Sequence, residues 1–231
     1  MDLTNMSTLL SPYDTKVIAI DGPSASGKGT IAARIASILN RDYLDSGALY
    51  RLTALFAKQR KIDWANEEQI AQLAATLPVI FIGGKVLLND LDVTHTIRSE
   101  EVGLNASKIA AYPSVRAALL QRQRDFLTAK GLVADGRDMA SVVFPNAELK
   151  IFLTASAQVR AKRRALQLGL AINGEEFKKI LVDIEKRDAA DRTRAVAPLQ
   201  PVADAHILDT SSLNIDESVQ KILDWYQIIK K

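Results

Sequence analysis

The run Val17-Ile18-Ala19-Ile20-Asp21-Gly22-Pro23-Ser24-Ala25-Ser26-Gly27-Lys28-Gly29-Thr30 constrains this chain more than any other stretch. Four apolar residues predict a short strand that enters a glycine-bracketed loop, and Ile31, Ile35, Ile38 and Leu39 predict one apolar face of a following helix. Strand, Gly-x-x-x-x-Gly-Lys and helix in that order make a phosphate-binding P-loop. Gly22 and Gly27 permit backbone conformations that a Cβ forbids, so successive N–H groups can turn inward around a phosphate. The helix N-terminus contributes its dipole, and Lys28 brings a point charge to the β- and γ-phosphates. The chain is therefore expected to bind a nucleoside triphosphate with Mg²⁺. Gly29 separates Lys28 from the hydroxyl-bearing Thr30, whereas the motif usually has Ser or Thr directly after the lysine. A Gly/Ser-rich turn that only capped a helix would need neither the lysine nor both glycines.

The remaining composition limits the partners. With 231 residues the chain accommodates one domain with a small insertion. A net charge of +3 argues against gripping long polyanions by bulk charge, so an anion site must come from a local arginine cluster. The absence of cysteine excludes disulfides, thiolate metal sites and a catalytic thiol. His95 and His206 are the only histidines, which leaves no histidine-rich metal site. Residues 1–15 lack Lys and Arg and a long apolar core, so they read as a frayed tail rather than a signal peptide, ahead of a cytoplasmic domain with no membrane span.

Short apolar runs alternate with helical patterns. Strands are expected at Val17–Ile20, Asp42–Leu44, Leu132–Ala134, Leu149–Leu153 and His206–Leu208; helices at 28–39, 47–60, 99–110, 114–129, 157–168, 175–189 and 216–229. That alternation predicts an α/β fold, a parallel sheet with helices on both faces and ligands at the C-terminal strand ends. Residues 63–98 break the rhythm: a helical pattern over 67–76 precedes two β-prone runs around Gly83-Gly84, which read as a hairpin in a small inserted subdomain. Arg160 and Arg164 share a helix face at i, i+4, where like charges repel mildly unless something anionic lies between them.

Four segments together carry a family likeness: Ile20-Asp21-Gly22-Pro23-Ser24 with Gly27-Lys28-Gly29-Thr30; Leu44-Asp45-Ser46-Gly47-Ala48-Leu49-Tyr50-Arg51; Ala134-Asp135-Gly136-Arg137-Asp138-Met139; and Arg187-Asp188 with Asp191-Arg192-Thr193-Arg194. In order and spacing the chain resembles the bacterial cytidylate kinases, a branch of the P-loop nucleoside monophosphate kinases, from about residue 16 to the C-terminus. Ala140-Ser141 departs from the usual Gly-Thr and bears only on local loop geometry. The resemblance implies a five-stranded P-loop NTPase-type core over 16–231, with 63–98 as monophosphate-binding region and about 160–197 as lid. It also implies transfer of the ATP γ-phosphoryl group to CMP or dCMP with Mg²⁺, in a monomer that needs neither nucleic acid nor membrane.

By the same resemblance, Gly22, Pro23, Ser24, Ala25, Ser26, Gly27, Lys28, Gly29 and Thr30 cradle ATP, with the Thr30 hydroxyl near the metal. Arg51, Arg137 and Arg194 match positions that grip the CMP phosphate; Ser46, Ser107, Arg116 and Asp138 match positions around cytosine; Arg187 and Asp191 match positions near the ribose. Arg160 and Arg164 resemble lid arginines of the wider kinase group. Each has a plainer reading as well: Ser107 and Arg116 as solvated helix residues, Asp138 as an ion-pair partner, Asp45-Ser46-Gly47 as a helix cap. A GTPase-like switch would carry Asn-Lys-x-Asp and Asp-x-x-Gly, and neither string occurs. A kinase for a hydroxyl acceptor would need a positioned carboxylate, with Asp45 or Asp138 as the candidates. An RNA-binding P-loop ATPase fits poorly with 6% aromatic residues.

Overall fold

The apolar runs at the centre of the sheet become strands because both their faces are covered. In a computed structural model, which describes residues 16–82 and 84–230, β1 (Val17–Asp21) and β6 (Leu132–Gly136) are buried at every position. Around them lie β2 (Asp42–Asp45), β7 (Leu149–Thr154) and β8 (His206–Asp209), giving a five-stranded parallel sheet in the order β2-β6-β1-β7-β8. The expected tail at 1–15 lies outside the described residues.

The period-2 alternation of strand side chains divides the core in two. Val17 and Ala19 of β1, with Leu132 and Ala134 of β6, join the cluster under α2 (Ser46–Gln59), α3 (Glu67–Ala75), α4 (Glu100–Ile109) and α5 (Pro113–Arg124). Ile18, Ile20, Val133, Leu149, Ile151 and Leu153 join the cluster under α1 (Lys28–Ile38) and α8 (Ile215–Ile229). Each fully buried Ile or Leu contributes about 1.5–3 kcal/mol, so this two-sided packing dominates the fold's stability. Beyond β7, α6 (Ala157–Gln167) packs on α7 (Glu175–Thr193). No described helix is long and apolar enough to cross a membrane.

The insertion is partly as expected. β3 (Val79–Ile82) and β4 (Lys85–Leu88) pair antiparallel, from Val79 against Leu88 to Ile82 against Lys85, while Gly83 lies outside the described residues. A third strand, β5 (Leu91–Asp92), was not expected. Asn89 and Asp90, at φ 48° and 63°, form the two-residue turn that returns the chain, as the left-handed pair of a tight hairpin does. The region is not a separate core: Ile70, Ala74, Leu77, Leu88, Val93 and Ile97 belong to the cluster that holds α2.

Two helix ends also differ. α5 stops at Arg124 rather than 129, because Arg124 Nε is fixed on the Val143 carbonyl and Phe126 turns edge-on to Phe81. α7 continues to Thr193 rather than 189, since its charged last turns find partners on neighbouring elements. The stretch 187–193, expected within a lid, is therefore helical here.

Candidate active site

The sheet's C-terminal edge collects every segment singled out above. The loop after β1 runs so close to β7 that a Cβ on Gly22 would sit 2.1 Å from the Leu153 carbonyl oxygen, which no side chain tolerates. Gly27 is left-handed at φ 91° and opens α1 without any side-chain cap. The first N–H groups of α1 therefore face the loop's interior unanswered. Ala25, at φ 56°, is also left-handed, a conformation that costs a Cβ-bearing residue free energy and marks a locally strained loop.

Lys28 donates from Nζ to the Pro23 carbonyl at 3.0 Å. Burial and then the Arg137 charge lower its pKa, while Asp135, Asp45 and Asp191 pull the other way. Asp135 lies under the same loop, within 3.4 Å of the Tyr43 hydroxyl that donates to it. Burial and Asp45 raise its pKa. Asp21 accepts from the backbone N–H groups of Met139 and Ala140, both at 2.8 Å. Those two bonds hold the turn that carries Arg137 and Asp138 against the end of β1. Burial pushes the Asp21 carboxyl up to about 6, with Asp138 acting in the same sense.

On the opposite wall the arginines converge, each on a carboxylate. Arg51 pairs with Asp45 at 2.7 Å, and Asp45 also caps α2 by accepting from Ala48 N, so the capping reading of that segment holds alongside any ligand role. Arg137 Nε donates to Asp191 at 2.7 Å. Burial opposes the charge on Arg137, but Asp191, with Asp135 and Asp21, together outweigh it, so its pKa is raised. Arg194, 3.9 Å from Asp191, has its pKa lowered by burial and by Arg116. Asp191 thus stands between two phosphate-facing candidates. Arg116 pairs with Asp138 and donates to the Ala110 carbonyl, and both side chains are buried, so Arg116 is not solvated.

The lid residues have protein partners too. Glu100, at the start of α4, accepts from Arg164 Nε at 2.8 Å and from Arg187 at 2.7 Å. Arg160 pairs with the buried Asp188 and donates to the Ala155 and Ser24 carbonyls at 2.9 and 3.1 Å. The anion expected between Arg160 and Arg164 is thus replaced here by one carboxylate for each. Ser107 lies one turn beyond Gly103, whose α-carbon faces the Arg187 guanidinium. Thr30 is exposed in the first turn of α1.

Several contributors escaped the sequence reading: Asp21, Asp135, Gln123 and Arg163. Arg163 donates to the Ser26 carbonyl and to the Thr210 carbonyl and hydroxyl, joining the P-loop to the turn after β8. Asp21 and Asp135 each left a local signal, as an acidic residue closing an apolar strand, and Asp135 is in register with Asp45.

Five buried side-chain atoms lack a hydrogen-bond partner among the described residues: Ser24 Oγ, Ser26 Oγ, Arg51 Nε, Arg187 Nε and Arg194 Nη2. All five belong to residues predicted for the site. Buried donors left unmade are costly, and unpartnered atoms confined to these residues fit a polyanionic ligand.

A cytidylate kinase family model matches residues 18–228. The chain is 61% identical over 212 residues to a cytidylate kinase of Neisseria gonorrhoeae, covering 92% of this chain and 97% of that protein. It is 57% identical over 211 residues to a cytidylate kinase of Chromobacterium violaceum, covering 91% and 95%. Against a cytidylate kinase of Bordetella pertussis it is 54% identical over 224 residues, covering 96% and 99%.

Proposed function

This chain belongs to the cytidylate kinase family, and from that premise we propose how its own residues transfer the γ-phosphoryl group of ATP to CMP, and to dCMP, giving ADP and CDP or dCDP. The observation that carries the residue assignment is the set of five unpartnered buried polar atoms, all on residues of the P-loop and of the proposed acceptor site.

In this reading Gly22–Thr30 cradle the ATP phosphates with backbone N–H groups, and Lys28 leaves the Pro23 carbonyl for the transferring group. Arg51, Arg137 and Arg194 take the CMP phosphate. The attacking atom is an oxygen of that phosphate, largely ionised at neutral pH because its second pKa is about 6, so no general base is required. The bond from the γ-phosphorus to the bridging oxygen breaks as the new P–O bond to CMP forms. Neither histidine is needed, and His206 is stacked on Trp225 at β8, far along the sheet edge. Asp138 and Ser46 accept from the cytosine amino group, Arg116 holds Asp138, Ser107 stands at the base, and Arg187 and Asp191 line the sugar. Arg160 acts as a positioning residue through Asp188, and Arg164 reaches the phosphates only after leaving Glu100.

The donor set suits Mg²⁺. No group of three or more His, Cys, Asp or Glu forms a cage among the described residues, and a small hard cation that keeps waters needs only a hydroxyl, phosphate oxygens and a nearby carboxylate. Thr30 and Asp135 would hold it, Asp135 through water. When bound, it neutralises charge on the phosphates. The protein works as a monomer in the cytoplasm, where both nucleotides are found. The stretch 160–197 acts as the lid that excludes water.

The test is ADP release with Mg²⁺-ATP against CMP, dCMP, UMP, AMP and GMP. CMP and dCMP should stimulate turnover at roughly 1–100 per second, the usual range for kinases. Phosphorylation of AMP without CMP-stimulated ADP formation would overturn the reading.

A further inference from the structure

α5 presents two buried polar side chains on one face, Arg116 and Gln123, seven residues apart and so two helical turns along. Arg116 pairs with Asp138. Gln123, 2% exposed, accepts at Oε1 from the Ser46 hydroxyl at 2.8 Å, and Ser46 is itself 3% exposed. The Gln123 amide cannot be turned over. Its Nε2 donates to the Leu119 carbonyl at 3.2 Å, and the reversed orientation would set two oxygens against each other there. A hydroxyl has one proton. With that proton directed at Gln123, Ser46 Oγ can offer only lone pairs to the cleft.

We infer that Gln123 is a specificity-determining positioning residue: by taking the Ser46 proton it makes Ser46 a one-way acceptor, matched to the two N–H groups of a pyrimidine 4-amino group. Ser46 directly follows β2, and Asp138 lies two residues past β6, the neighbouring strand, so both acceptors follow the C-terminal ends of paired strands. An exocyclic amine has two protons for two acceptors. The 4-carbonyl of uracil has only lone pairs, and would meet lone pairs on both sides. Without Gln123 the Ser46 hydroxyl rotates freely and can donate to that carbonyl, which removes half of the discrimination. The inference rests on the proposed placement of Ser46 and Asp138 at the base.

The experiment is a comparison of kcat/KM for CMP and UMP in four variants: Gln123→Leu, Gln123→Glu, Ser46→Ala and the Ser46→Ala/Gln123→Leu double variant. Gln123→Leu should lower the CMP-to-UMP ratio about tenfold, partly by raising kcat/KM for UMP. Gln123→Glu should restore the ratio to about that of the unaltered protein, because its carboxyl still accepts from Ser46 while its protonated oxygen can bond the Leu119 carbonyl. In the Ser46→Ala background, Gln123→Leu should change the ratio no further. If Gln123→Leu does not fold, Gln123→Met carries the same expectation. An equal loss of activity on CMP and UMP would show that Gln123 only packs α5, and would overturn the inference. An unchanged ratio in Gln123→Leu, with a lowered one in Ser46→Ala, would overturn the relay but keep Ser46 at the base. An unchanged ratio in Ser46→Ala would remove Ser46 from the base and take the inference with it.

Discussion

The two walls of the cleft hold their charges in opposite ways. The P-loop wall is made of backbone: a left-handed Gly27, an uncapped α1 and a glycine pressed against Leu153, with Lys28 folded onto a carbonyl. On the arginine wall, by contrast, Arg51, Arg137, Arg164, Arg187 and Arg194 each lie within 4 Å of a carboxylate. Lys28 is held directly by a carbonyl and feels Asp135, Asp45 and Asp191 only through space, whereas each of these arginines meets a carboxylate directly. A rigid backbone cradle suits the triphosphate, whose shape is constant. Exchangeable ion pairs suit an acceptor site that must open and close around its substrate.

The largest effect should come from the preformed wall. Lys28→Ala should lower kcat by about 10²–10³-fold, as loss of one preorganised charge at a transferring group does, with thermal stability nearly unchanged. Near-normal turnover in that variant, measured by ADP release, would place the charge work on the arginine wall instead.

Next is the cost of the carboxylate that supports the cradle from behind. Asp21 is raised from 3.8 to about 6 by burial, so its proton is held more tightly in the folded chain. Its stabilising contribution is complete below about pH 4 and is lost as pH rises through about 6. Relative to Asp21→Asn, which does not titrate, the protein should lose stability over that window, by up to about 3 kcal/mol. Urea unfolding of both proteins from pH 4 to 7 gives the double difference, and a flat one would contradict a strained, buried charge there.

The smallest effect sharpens the contrast from the other side. Glu100→Gln releases Arg164 and Arg187 from a half-exposed carboxylate, an interaction of about 0.2–1 kcal/mol. The KM for CMP should therefore fall by about twofold or less, with the KM for ATP moving less. A large rise in the KM for CMP would mean that Glu100 organises the acceptor site rather than standing in for its ligand.

Much of this was legible residue by residue. The central strands β1 and β6 were found because a continuous apolar run has no stable exposed alternative, whereas the less buried β2 and β8 were placed by the alternation of strands with helices. The P-loop was legible because its function resides in backbone shape, which two glycines and a lysine encode within fourteen residues. β5 was missed because a two-residue strand carries too little pattern, although Asn89-Asp90 marks its turn. The last turns of α7 were missed because a run of charges reads as solvated until its partners are known.

The sequence by itself determined the alternating α/β order and the phosphate-binding loop, since each depends on residues close together in the chain. Tertiary structure alone decided which carboxylate answers which arginine. Ser46 meets Gln123 across 77 positions, Asp21 meets Met139 across 118, and Arg163 meets Ser26 across 137. A hydrogen bond between such residues follows from the strand order β2-β6-β1-β7-β8, which brings distant segments to one edge. No local periodicity encodes that meeting, because the sheet, and not the chain, sets their distance.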